Sequence, residues 1–124
     1  LNNLECLVDG GTGIAIVPMS CALYQSGKGL ELKKKLLDRH TLEAVLSMPD
    51  DLFYPVGVVT CIMIFEANKK NVGRETWFGY FKDDGFEKRK NKGRIDAYGK
   101  WEKIKEKWLT YLMTLIEKKK LVLV

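Results

Sequence analysis

Three short, almost wholly apolar runs set the limits on what this chain can fold into. They are residues 13–18 (GIAIVP), 42–48 (LEAVLSM) and 58–65 (VVTCIMIF). Each is too short for a helix and reads as a strand, and the first and third show the pattern of a strand buried on both faces of a sheet. Pro18 and Pro49 close the first two. Between those two lies a helical stretch broken near Gly27-Lys28-Gly29. Its second half turns Leu32, Leu36 and Leu37 inward, with Lys33-Lys34-Lys35 and Asp38 outward. Strand, helical crossover and strand make a βαβ unit, so 13–18 and 42–48 are expected to run parallel. Residues 50–57 are too few for a crossover helix, so the second and third strands are expected to pair antiparallel.

The flanks follow the same logic. Residues 1–8 read as the tail of a helix, with Leu4, Leu7 and Val8 at helical spacing, ended by Asp9-Gly10-Gly11. Opening on the last turns of a helix suggests a piece of a longer domain. After a polar turn at 68–73, residues 75–82 (ETWFGYFK) suit an edge strand or hairpin arm. Asp83-Asp84-Gly85 is a tight turn signal, and 88–93 (KRKNKG) a charged, mobile loop. Residues 100–119 give the strongest helical pattern. Trp101, Ile104, Trp108, Leu112 and Leu115 recur at intervals of three and four, and the chain then ends in Leu-Val-Leu-Val.

At 124 residues the chain has room for one core. No apolar run approaches the roughly 20 residues that span a bilayer. The first residues are not a basic segment followed by an apolar one, so no signal peptide is expected. Three widely separated cysteines and one histidine, with no CxxC, give no ligand set for zinc. The expectation is a reduced, cytoplasmic protein without membrane contact. The net charge of +5 gathers in three clusters, at 33–35, at Lys88-Arg89-Lys90 with Lys92 and Arg94, and at 118–120. Each suits a solvated face, and each would also suit DNA.

Candidate chemistry is sparse. Gly10-Gly11-Thr12-Gly13 ends a helix and begins a strand, the reverse of a phosphate-binding loop. His40 lacks a nucleophile to activate and reads as a helix-terminal histidine favoured by the helix dipole. The pairs Asp50-Asp51 and Asp83-Asp84 read as turn or cap residues rather than metal ligands.

Three segments, taken in order, resemble the later half of the N6-adenine DNA methyltransferase domain, and most of all the modification subunit of type I restriction–modification systems. They are LVDGGTGIAIVPMS, LKKKLLDRHTLEAVLSMPDDLF and GVVTCIMIFEAN, with ETWFGYFKDDGF resembling a strand and turn that the family often adds. The resemblance implies an α/β fold, the C-terminal half of a doubly wound Rossmann-like sheet with an antiparallel last strand, plus a C-terminal helix. It divides the chain into 1–82, the later part of the methyltransferase domain, and 83–124, a charged loop and amphipathic helix. In that family a glycine-rich loop binds S-adenosylmethionine and an Asn-Pro-Pro-aromatic motif holds the target amino group. Neither motif occurs in this sequence, so the chain alone is expected neither to bind the cofactor nor to methylate.

One functional position carries over by resemblance. An aromatic residue in the loop before the antiparallel strand stacks on the flipped-out base. DDLFYPVG occupies that loop, with Phe53 the best match and Tyr54 the substitute; a core or loop-anchoring role for Phe53 is the alternative. The implied partners are DNA and the specificity and restriction subunits of a type I system. Two other readings stand beside this one. One is a non-catalytic interaction module that docks a partner subunit or DNA through the C-terminal helix and basic loops. The other is a small α/β protein sharing only a common superfold.

Overall fold

A computed structural model describes residues 2–122, apart from the side chains of 2, 116 and 118–122. Leu1, Leu123 and Val124 lie outside the described residues, as do the Lys118-Lys119-Lys120 side chains and most of the Leu-Val-Leu-Val ending. The chain divides into two compact units, Leu1–Lys82 and Asp83–Val124.

The first unit is a four-stranded mixed sheet with helices. In chain order it contains α1 (Asn2–Glu5), β1 (Thr12–Pro18), α2 (Ser20–Leu23), α3 (Gly27–Arg39), β2 (Thr41–Ser47), β3 (Thr60–Glu66) and β4 (Trp77–Tyr80). Spatial order is β1-β3-β2-β4. β3 runs antiparallel to both β1 and β2, so those two point the same way without touching. The expected antiparallel pairing of the second and third strands is present. The expected common direction of the first two strands is present as well, with β3 lying between them and hydrogen-bonding to each. β4 takes the edge, parallel to β2, and is therefore no hairpin arm.

The core sits in the two middle strands, where Ala44, Val45, Leu46, Cys61 and Phe65 are buried. Burial raises the Cys61 thiol above its ordinary pKa, with Cys21 adding to the shift. It therefore stays a protonated, unreactive core group. β1 departs from expectation. Its register sets Ile14 opposite Ile64 and Ile16 opposite Ile62, on one face of the sheet. Ile14 is 67% and Ile16 60% exposed, so this strand is not buried on both faces. An apolar run reports that a strand can be covered, not that it is. On the opposite face, α1 packs closely on β1 at Gly13, where a Cβ would run into Leu4. That close approach explains the glycine structurally. The break falls at residues 24–26, so α3 starts at Gly27 and takes in the expected Gly27-Lys28-Gly29 break, and Leu32 proves exposed because it faces an open groove.

The second unit contains β5 (Glu87–Arg89), β6 (Gly93–Ile95) and α4 (Trp101–Val122). Residues 88–93, expected as a charged mobile loop, form most of an antiparallel hairpin pairing Lys88 with Arg94. The Asp84 carboxylate accepts two contacts of 2.8 Å from the Arg94 guanidinium, both groups being nearly buried. This ion pair joins the turn before β5 to β6. Arg94 also lies 5.5 Å over the Phe86 ring, which meets Trp101 edge-on at 5.8 Å. Asp96 accepts the Lys100 N–H at 2.9 Å and so caps the start of α4. Gly85, at φ +80°, passes so near Lys100 that a side chain there would clash.

Candidate base pocket edge

The loop between β2 and β3 opens at a defined place. Pro18 lies opposite Thr60 and Ser47 opposite Cys61, so β1 and β2 both deliver their carboxyl ends to the point where β3 begins. The Met19 N–H donates to the Val59 carbonyl at 2.9 Å, and the Met48 N–H to the Thr60 carbonyl at 3.1 Å. These two bonds tie both strand ends to the returning chain. In open α/β sheets that edge is where ligands bind, because loops there converge without obstructing the layers.

Within the loop, three successive turns hold the chain without regular structure. Leu52 N–H donates to Pro49 O, Tyr54 N–H to Asp51 O, and Val56 N–H to Phe53 O, at 2.9–3.1 Å. Phe53 is 42% exposed on this loop and Tyr54 is similarly exposed. The structure thus places both predicted residues together on an exposed loop at the carboxyl edge. Asp51 and Asp50 belong to the same turns. Among the described residues, no cluster of histidine, cysteine or carboxylate side chains could hold a metal ion.

The other candidates are structural. Asp83 accepts the Gly85 N–H at 2.8 Å, a local turn bond, while Asp84 holds Arg94. His40 follows α3 and its backbone N–H donates to the Leu36 carbonyl. It is fully buried rather than a charged terminal residue facing solvent. Burial lowers its pKa, outweighing Glu5, which raises it. The helix-dipole reading fails because a dipole stabilises the charged form, and this ring is held neutral. Sequence alone missed an apolar groove of about 750 Å³ bounded by Leu4, Leu7, Leu36, Met63 and Phe65. At its rim Lys33 donates to the Ala22 and Tyr24 carbonyls at 2.8 and 2.9 Å. The groove offers packing surface rather than acid–base chemistry.

An antiparallel strand set between two parallel ones, with an exposed loop leaving the carboxyl end of β2, defines a mixed α/β domain. The chain belongs to the N-6 DNA methylase family, whose model matches residues 1–119. It is similar to the type II restriction enzyme and methyltransferase RM.BcgI of Heyndrickxia coagulans, 41% identical over 93 residues. That match covers 74% of this chain and 15% of the relative. The methylase subunit of the type I restriction enzyme EcoKI, from Escherichia coli K12, is 34% identical over 62 residues, half of this chain and 12% of that subunit. The crystal structure of the EcoKI M protein superposes with a TM-score of 0.59 at 25% identity, covering 75% of this chain and 20% of that one. The matched part therefore spans only 12–15% of the length of these curated relatives. A shared superfold alone does not account for such identity.

Proposed function

We propose that this chain is the later part of a site-specific DNA adenine-N6 methyltransferase of a restriction–modification system, supplying scaffold and one wall of the target-base pocket. On this reading the sheet is the far half of a doubly wound Rossmann-like domain. S-adenosylmethionine is held by residues outside this sequence, since the family's glycine-rich cofactor loop and Asn-Pro-Pro motif are missing from it. Methyl transfer needs donor and adenine aligned in one site, so this chain contributes placement rather than the donor cradle. Phe53, with Tyr54 beside it, supplies an aromatic face for the unstacked adenine. The observation that carries the reading is the position of the β2–β3 loop, which leaves the sheet at the carboxyl end of β2 and holds Phe53 exposed.

The proposed partners are DNA and, by similarity to methylase subunits, the specificity and restriction subunits of a type I system. A docking role for α4 is supported by its side chains. Trp101 and Trp108 are half-buried, whereas Leu109 and Met113 stand exposed beside Tyr111. No described helix is long and apolar enough to cross a membrane.

The test joins this chain behind a segment bearing the glycine-rich loop and the Asn-Pro-Pro motif, and measures N6-methyladenine in duplex DNA. Methylation by the joined protein is expected. A joined protein that folds and binds S-adenosylmethionine, yet leaves adenine unmodified, overturns the reading.

A further inference from the structure

The positive charge of this protein is unevenly placed. Leu1–Lys82 carries nine lysines and arginines and nine acids, hence no net charge. Asp83–Val124 carries twelve against seven, so the whole excess of +5 resides in the second unit. Within that unit it is steepest at the β5–β6 hairpin. Lys88, Arg89, Lys90 and Lys92 fill four of five consecutive positions, and all four are exposed. The nearest acid, Glu87, is paired with Arg89 at 3.0 Å.

We infer that this hairpin is a phosphate-contacting arm that grips the DNA backbone. The choice of DNA among polyanions rests on the methyltransferase reading; the geometry is independent of it. The turn at the tip is closed by the Lys92 N–H on the Arg89 carbonyl, with Asn91 at φ 62° and Gly93 at φ 70°. Lys90 and Lys92 flank that tip. The base of the hairpin is fixed by the Asp84–Arg94 pair and by Phe86 packed on Trp101. Like charges gathered on one small hairpin repel each other, which disfavours the arrangement unless a polyanion compensates it. An anchored base with a cationic tip gives backbone contact without reading base edges, the division of labour seen in DNA-binding proteins.

The test uses the full chain and a labelled 20-base-pair duplex, with binding followed by fluorescence anisotropy across a potassium chloride series. Each lost phosphate contact lowers the slope of log K against log salt by about 0.9. The double variant Lys90→Gln/Lys92→Gln should therefore lower the slope by about 2. Its loss of affinity should be the same on two duplexes of unrelated sequence. Lys34→Gln/Lys35→Gln on α3 removes the same charge and should leave the slope unchanged. An unchanged slope in the hairpin variant overturns the inference, as does an equal fall in the α3 control. Equal binding of polyglutamate of matched charge reassigns the hairpin to acidic proteins and also overturns it. The methylation test is a separate readout. Methylation with no hairpin effect overturns the arm alone, and a hairpin-dependent slope without methylation overturns the enzyme reading alone.

Discussion

The backbone N–H of Asn68 donates to Nδ1 of His40 at 2.9 Å, 28 residues away in sequence. Asn68 holds a left-handed φ of 60°, and its neighbours continue the attachment. Thr41 Oγ1 lies 3.0 Å from the Lys69 carbonyl, the Leu42 N–H donates to Asn71 Oδ1, and the Asn71 N–H donates to the Leu37 carbonyl. A neutral imidazole accepts at Nδ1; a protonated one cannot. Its buried Nε2 has no hydrogen-bond partner among the described residues.

Stability should therefore fall in mild acid. Burial lowers the folded-state pKa of His40 below its unfolded value near 6.5. The unfolded chain then binds the extra proton first, so this stabilisation is complete above pH 6.5 and is lost as pH falls toward the folded value. Since His40 is the chain's one histidine, urea unfolding between pH 8 and 5.5 isolates its effect. His40→Gln should flatten the profile. A wild-type profile already flat across that window would show that His40 does not set it.

Phe53→Ala should leave folding nearly intact, because the ring is already 42% exposed. In the joined, cofactor-competent enzyme it should weaken methylation by the worth of one stacking contact, about 1–3 kcal/mol. Affinity for S-adenosylmethionine should stay unchanged. Normal methylation by the variant, measured as N6-methyladenine per duplex, would remove Phe53 from the pocket.

Calorimetric titration of this chain with S-adenosylmethionine should show no tight binding, because the sequence holds neither cofactor loop nor Asn-Pro-Pro motif. Micromolar affinity would mean that the cofactor cradle is built from residues in this chain.

Asp84→Asn should be among the costliest single changes in the second unit. It leaves the Arg94 guanidinium nearly buried without its carboxylate, a loss of about 3 kcal/mol. Hydrogen exchange at β5 and β6 should accelerate while β2 and β3 stay protected. Uniform exchange across both units would contradict the local assignment.

Much of this was legible in the sequence, and the rest was not for specific reasons. The runs LEAVLS and TCIMIF declare strands through their β-branched and apolar residues, and a short loop declares their antiparallel pairing. Nothing in periodicity says which strand lies beside which, so the insertion of β3 next to Val17 and Ile16 was invisible. The exposure of Ile14 was hidden for a related reason: apolar character is local, and cover is not. KRKNKG reads as a loop because lysine is poor in strands. What makes it a hairpin is Arg94 reaching Asp84 ten residues back, a pairing without a local signature. The position of Phe53 on the loop was legible; the base it is proposed to meet depends on family resemblance.

The placement of β3 also governs when the sheet can come into being during synthesis. β1 and β2 leave the ribosome first, yet neither hydrogen-bonds to the other. Both wait for Thr60–Glu66, and β1 waits longest, across more than forty intervening residues. Long-range pairing of this kind is slow to nucleate and leaves strand edges open meanwhile. Until β3 emerges, Ile14 and Ile16 belong to a strand with no partner in the sheet. The nascent chain is then most vulnerable to capture by chaperones or by its own neighbours, and the length of that exposure is set by how soon Thr60–Glu66 emerges.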